Sequence, residues 1–205
     1  MDTAQENPNH GWIKKLADSK FNYWFGYVAN IIIVSLLIRQ AVLSPTESFP
    51  ALKVLALAAG GYIFYTFTEY VFHRWLYHIV TSPFSTGHGL HHDYPKALMG
   101  LPWYFPVPAI FGAYYLLAYH VFHAPGAVGI FMGAWWAGFI CYCAVHHSTH
   151  HFNFKNKWFR KVKAHHRIHH VREETNYGVL TTFWDKVFQT EFKKEDSSED
   201  TKASY

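Results

Sequence analysis

The feature that most constrains this chain is a long stretch without a charged side chain. No Asp, Glu, Lys or Arg occurs from Ala97 to Phe154. A helix in a soluble core normally keeps a charged outer face, whereas two membrane spans of about 20 residues joined by a tight turn would fill such a stretch. The sequence therefore predicts an integral membrane protein.

Apolar runs of membrane-spanning length predict an all-α fold with four transmembrane helices. Proline and glycine turns separate the runs, as at Ser44-Pro45 and Pro125-Gly126. The four spans are expected at about 21–43, 51–72, 103–122 and 126–145.

The spans belong to one predicted membrane domain that covers 21–192. Its parts outside the spans, 73–102 and 146–192, are expected to form a cytosolic, histidine-rich helical cap. Residues 1–20 are predicted to be a cytosolic N-terminal segment. Residues 193–205, rich in Ser, Glu, Asp and Lys, are predicted to be a disordered tail.

The distribution of basic residues predicts the topology. Residues 155–194 contain ten Lys or Arg, and the N-terminal segment contains three lysines. The positive-inside rule then places both termini, and the loop between spans two and three, in the cytoplasm. Since the basic residues cluster near membrane ends, the net charge of +4 does not indicate nucleic acid as a partner. No retrieval signal is evident, which favours a bacterial inner membrane over the endoplasmic reticulum.

Thirteen of the sixteen histidines fall in four clusters, and the topology puts every cluster on the cytoplasmic side. The topology was assigned from Lys and Arg alone, so the sidedness of the histidines is independent support. The clusters are His73 and His78; His88, His91 and His92; His146, His147, His150 and His151; His165, His166, His169 and His170.

Helical spacing indicates which histidines can share one helix face. Residues three or four apart lie on one face, so two sets are expected to converge. These sets are His88 with His91 and His92, and His166 with His169 and His170.

The remaining pairs are less regular. His146 with His150, and His147 with His151, are equally good pairs by spacing, and His165 with His169 is a further one. His73 and His78 are five apart and need a helix end or a π-bulge between them to converge.

The number of histidines indicates two metal ions. Neutral imidazole binds Fe, Zn, Cu and Ni, whereas Mg and Ca prefer carboxylate ligands. Two neighbouring metals with about five ligands each would use ten histidines, and one metal could not.

Four histidine boxes in this order resemble the fatty acid hydroxylase and sterol desaturase superfamily, and within it the fatty acid 2-hydroxylases. The boxes are His73-Arg-Trp-Leu-Tyr-His78, His88-Gly-Leu-His-His92, His146-His-Ser-Thr-His-His151 and His166-Arg-Ile-His-His170. The stretch from Asn176 to Thr190 is similar to the closing signature of that family. The chain differs from close 2-hydroxylases at two places that bear on the lipid headgroup: 95–102 lacks their Asp and Arg, and Tyr142-Cys143 replaces their Tyr-Asp.

The resemblance implies a di-iron site with ten histidine ligands. The implied ligands are His73, His78, His88, His91, His92, His146, His150, His166, His169 and His170. His147, His151 and His165 then become supporting residues, and Glu69 and Asp185 are candidates to orient imidazole N–H groups. Zinc also binds imidazole and can occupy such a site in purified protein.

The resemblance also implies the activity, a di-iron monooxygenase that uses O2 to hydroxylate a lipid acyl chain, with carbon 2 the expected position. The cytochrome b5 domain that some relatives carry is absent, so a separate donor, cytochrome b5-like or ferredoxin-like, is expected. The alternative within the superfamily is a sterol or carotenoid hydroxylase or desaturase. Outside it, a membrane haem protein and a metal transporter are the remaining classes, but both want ligands inside the bilayer.

Overall fold

The computed structural model describes residues 19–44, 46–100, 102 and 104–193, and helices dominate these residues. The all-α prediction is therefore confirmed. Seven α-helices and two π-helical segments follow one another in the described chain: α1 Lys20–Val42, α2 Ala51–Val71, the first π-segment Phe72–Tyr77, α3 Pro83–Asp93, α4 Pro106–Tyr115, the second π-segment Leu116–Val121, α5 Pro125–His151, α6 Lys157–His169 and α7 Phe183–Val187.

The helix α5 is central and packs along both α1 and α2. Glycines permit the close approach of these helices. A Cβ atom on Gly129 would collide with the carbonyl oxygen of Leu37 in α1, and one on Gly61 of α2 would collide with that of Phe131 in α5. Small residues at helix contacts are typical of packing inside membranes.

Three helices are long and apolar enough to cross a membrane, judged by length and composition: Lys20–Val42, Ala51–Tyr77 and Pro125–His151. Large apolar side chains such as Ile31, Ile32 and Leu55 are exposed along them, as expected for a surface in contact with lipid. Three of the four predicted spans thus have a matching helix.

The predicted span at 103–122 is shorter in the structure. Its helix begins at Pro106 and ends with the second π-segment at Val121, ten plus six residues in length. At about 1.5 Å per residue this covers about 24 Å, less than the ~30 Å of a hydrocarbon core. The segment nevertheless packs Ile110, Tyr114 and Ala118 into the main apolar cluster with α1 and α5.

The predicted N-terminal segment 1–20 lies outside the described residues except for Ser19 and Lys20, which begin α1. The Ser19 hydroxyl accepts a hydrogen bond from the Asn22 amide and caps the helix. The predicted tail 193–205 lies outside the described residues except for Lys193. The amino end of α1 lies beside the carboxyl end of α5, where the Tyr23 hydroxyl is 2.8 Å from Nδ1 of His147.

Candidate metal centre

Ten histidines meet at the carboxyl ends of α2 and α5, in two groups of five. In each group one nitrogen per ring lies within 4.8 Å of all the others. The first histidine group is His73, His78, His88, His92 and His169, and the second histidine group is His91, His146, His150, His166 and His170. The two groups touch, since the rings of His92 and His170 stack with centroids 4.3 Å apart.

The donor atoms in each group are spaced as ligands of one ion. Nε2 of His88 is 3.1 Å from that of His73 and 3.0 Å from those of His78 and His92. Nitrogens about 2.1 Å from a shared ion are about 3.0 Å apart at right angles and about 4.2 Å apart when opposite. One N–H on His88 could serve only one of its three neighbours, so a cation accounts for the set better than hydrogen bonds do.

The tautomers of two imidazoles support the same conclusion. Nδ1 of His73 donates to the carbonyl oxygen of Tyr177, and Nδ1 of His169 donates to that of Thr175 at 2.8 Å. A neutral imidazole carries one N–H, so Nε2 of both rings presents a lone pair to the first histidine group. The residues present therefore fit metal ions.

The π-helix after α2 brings His73 and His78 together. The i→i+5 hydrogen bonding of the segment Phe72–Tyr77 places side chains five apart on nearly the same face, and the two rings have centroids 5.3 Å apart. The expectation that this pair needs a helix end or a π-bulge is confirmed.

Two predicted convergences are wrong in detail, because neighbouring histidines divide between the groups. His88 and His92 enter the first group while His91 enters the second. Residues four apart differ by only about 40° around a helix, whereas consecutive residues differ by about 100°. The helix α3 therefore lies between the groups with one histidine pair on one side and His91 on the other.

The helix α6 and its end are divided in the same way. His166 and His170, four apart, enter the second histidine group, and His169 enters the first. In α5 only one of the two possible pairs, His146 with His150, points into a group.

Burial lowers the pKa of several histidines in the two groups. It lowers the pKa of His91 to about 2 and that of His169 to about 3, and neighbouring histidines lower both further. The pKa values of His88 and His166 lie well below the usual range for the same reasons. At neutral pH these rings are in the neutral form that binds metal.

A loop between α6 and α7 supports the first histidine group, and Asp185 organises it. The buried Asp185 carboxylate accepts hydrogen bonds from the backbone amides of Tyr177 and Gly178 and from the Thr190 hydroxyl. It also lies 3.0 Å from Nε2 of His165. Asp185 thus orients an imidazole as expected, but that of His165, which belongs to neither group.

The expectation that Glu69 orients an imidazole is wrong. The buried Glu69 carboxylate accepts hydrogen bonds from the amides of Val179 and Leu180, in the same loop. Val179 and Leu180 lie near the end of this loop, just before α7. Glu69 therefore holds the same loop whose Tyr177 carbonyl accepts from His73.

His147 and His151 lie beside the centre rather than in it. Their rings stack on each other at 4.2 Å, and His147 bonds to Tyr23. They line an open pocket of about 600 Å³ with Lys20, Trp24 and Lys96.

Three supporting residues were missed from the sequence. Glu173 lies 3.6 Å from Nδ1 of His78 and 3.4 Å from Nδ1 of His92. Its position three residues after the end of the fourth box was the available signal. Tyr177 and Thr175 contribute backbone carbonyls, which no side-chain pattern reveals.

Comparisons with known proteins identify the family of the chain. Residues 58–190 match the fatty acid hydroxylase family. The chain is 31% identical to the dihydroceramide fatty acyl 2-hydroxylase FAH2 of Arabidopsis thaliana over 70% of its own length and 62% of the relative's. It is 31% identical to the fatty acid 2-hydroxylase of Mus musculus over 78% of its own length and 45% of the relative's.

A solved structure shares the fold. It is full-length Scs7p with only the hydroxylase domain visible; the TM-score is 0.69 at 24% identity, over 89% of this chain and 70% of that one. The family match covers most of this chain, including all four histidine boxes. The chain belongs to the fatty acid hydroxylase family.

Proposed function

We propose that this chain is a di-iron, O2-dependent membrane hydroxylase that introduces a hydroxyl group at carbon 2 of a lipid acyl chain. The observation that carries the proposal is the pair of touching five-imidazole groups at the ends of membrane-spanning helices. The ten histidines would hold two iron ions, five to each. Bound iron would supply the activation of O2, for which no protein side chain has the redox chemistry.

The residues of the chain would then bind, orient and shield. His73, His166 and His169 are almost fully buried, so water reaches the centre poorly from their side. Tyr77 stacks on His88 at 5.0 Å and Tyr142 stacks on His146 at 5.4 Å, which restrains one imidazole in each group. Exclusion of water protects a reactive oxidant from side reactions.

An acyl chain as substrate is supported by the position of the centre and by the relatives. The groups lie where α2 and α5 end, so a lipid in the bilayer could reach them with its headgroup at the interface. The relatives named above are 2-hydroxylases of fatty acyl groups. The sequence-based topology, with four spans and both termini cytoplasmic, would place the centre on the cytoplasmic side.

The alternative within the superfamily is a sterol or carotenoid hydroxylase or desaturase. Mass spectrometry of host lipids separates the two. Expression of the chain should add 2-hydroxy acyl chains and leave sterols and carotenoids unchanged. New oxygenated sterols or carotenoids without 2-hydroxy acyl chains would contradict the proposal.

Variants of one histidine from each group test the role of the centre. We expect His91→Ala and His169→Ala to abolish hydroxylated product and to lower the iron content measured by elemental analysis, while the protein still inserts into the membrane. The matched control His151→Ala removes a histidine outside both groups and should keep iron and product. Full activity of either group variant would contradict the ligand assignment.

A further inference from the structure

The outer side of α6 forms a basic groove that the metal centre does not use. The groove has a volume of about 820 Å³, and six cations line it: Lys155, Lys157, Arg160, Lys161, Lys163 and Arg167. No carboxylate is among the lining residues, and no Asp or Glu occurs in the sequence between Phe152 and Arg172. A surface with one sign of charge in a concave shape attracts an oppositely charged partner.

The positive charge of the groove is not neutralised inside the protein. Among the described residues, no carboxylate forms an ion pair with any of the six cations. Lys163 alone is engaged, through hydrogen bonds from Nζ to the Phe152 carbonyl and the Asn153 side chain. The other five cations remain available to an external partner.

The two sides of α6 indicate what kind of partner fits. Phe159 and Val162 are buried inside the protein together with His165, His166 and His169, and Trp158 is the one large apolar side chain of the helix that is exposed. A helix that lies on a bilayer turns its apolar face to the lipid. Here most of that face is buried in the protein, and the outer face offers six cations beside only Phe154 and Trp158, which favours an acidic soluble protein.

The groove is also close to both histidine groups. His169 of the first group and His166 of the second project from the inner side of α6. The outer side of the same helix is about 10–12 Å away, the thickness of a helix with its side chains. Electron transfer rates fall steeply with distance, so a carrier bound in the groove would be well placed to reduce both metals.

We propose that the basic groove is the docking surface for an acidic one-electron carrier protein, an inference that rests on the proposed function. Each hydroxylation consumes one O2, two electrons and two protons, and it yields one hydroxylated chain and one water. Two reduced carriers would bind in turn, and each would leave oxidised by one electron. The groove would thereby provide a site for the electron donor that the reaction needs.

Binding is tested first on full-length protein in nanodiscs of phosphatidylcholine. The probes are a plant-type [2Fe–2S] ferredoxin and the soluble haem domain of cytochrome b5, both acidic. At low salt at least one probe should bind, and its affinity should fall steeply as salt rises. Reversal of charge in Arg160→Glu with Lys161→Glu should weaken binding at least about tenfold. The control Lys96→Glu with Lys186→Glu makes the same change in net charge outside the groove and should bind normally.

Turnover separates this proposal from the proposed function. The reversed variant should lose product formation with the protein donor and keep it with dithionite. If the probe binds wild-type protein but not the reversed variant, and no hydroxylated lipid forms, the docking site is supported and the proposed hydroxylase function is overturned.

Three results would overturn the docking proposal. One is that neither probe binds wild-type protein at low salt. Another is equal loss of binding in the control variant. The third is that the reversed variant binds the donor as well as wild-type protein does. If phosphatidylglycerol also raises the melting temperature of wild-type protein but not that of the variant, the groove binds anionic lipid instead.

Discussion

The two histidine groups differ in the partners of Nδ1, the ring nitrogen that faces away from the centre of the group in His73 and His169. In the first group Nδ1 of His73 and Nδ1 of His169 each donate to a backbone carbonyl. The Glu173 carboxylate lies 3.6 Å from Nδ1 of His78 and 3.4 Å from Nδ1 of His92, near both rings but without a hydrogen bond to either. Among the described residues, no ring of the second group has such an acceptor, and Nδ1 of His166 is buried without a partner.

The difference teaches that the same ligand type can be positioned in two ways. Acceptors at Nδ1 fix the tautomer and the orientation of a ligand and make it a stronger donor. The first histidine group therefore depends on the loop after α6, and the second depends on packed rings, such as Tyr142 against His146. A variant in the loop should therefore affect metal binding in the first group, and a variant in the packed rings should affect it in the second.

The largest expected effect comes from removal of one ligand in either group. We expect His88→Ala to empty the first group and His146→Ala to empty the second, so that each variant retains about half the iron. Product should fall more than about 100-fold in both, beyond the losses seen when supporting partners are removed. Elemental analysis with lipid mass spectrometry measures both. Full iron content in either variant would break the division into two groups.

The next effect comes from the loop that supports the first group. Asp185→Asn replaces a buried carboxylate with four partners, and each hydrogen bond to a charged group is worth about 1.5–3 kcal/mol. We expect the free energy of unfolding to fall by about 3 kcal/mol or more, and iron to be lost first from the first histidine group. Melting temperatures in detergent measure the change, and the exposed Asp93→Asn serves as control. Equal loss of iron from both groups would mean that the loop does not distinguish them.

A smaller effect is expected from Glu173, whose side chain is 59% exposed. Glu173→Gln should lower metal affinity about tenfold, the low end for a supporting partner, because solvent screens this carboxylate. Competition with a chelator measures the affinity. The loss should occur in a His146→Ala background and be absent in a His88→Ala background, and Glu174→Gln provides the neighbouring control. A loss in both backgrounds would contradict the comparison.

The smallest effect is expected outside both groups. Tyr23→Phe removes the hydroxyl that bonds to His147 and keeps the ring. We expect at most about 1 kcal/mol of lost stability, the value of one hydrogen bond, with iron and product unchanged. The melting temperature and the iron content test this. A clear drop in iron content would mean that His147 contributes to metal binding.

The helical spacing of the histidines in the sequence predicts much of the site. Spacing of three or four residues predicted that His88, His91 and His92 converge, and two of them, His88 and His92, do share a group. A helix end or a π-bulge was expected between His73 and His78, and a π-helix is present there. Both depend on geometry within one helix, which a sequence carries directly. The absence of charge from Ala97 to Phe154 likewise predicted membrane-spanning helices, and α5 has the length and composition of one.

Other features depend on contacts between distant parts of the chain. His73 meets the Tyr177 carbonyl 104 residues later, and Glu69 meets the Val179 amide across 110 residues. No local pattern encodes such a pairing, so the role of Glu69 was predicted wrongly. The short helix at Pro106 shows the same limit, since apolar composition indicates burial but does not set where a helix begins and ends.

The division of neighbouring histidines between groups has a consequence for how firmly the two sites are spaced. His91-His92 and His169-His170 each join one group to the other through a single peptide unit. Consecutive Cα atoms are about 3.8 Å apart whatever the surroundings. Small tilts of the helices cannot lengthen these two peptide units. The two sites therefore cannot move apart without a change in the side-chain torsions of these four histidines.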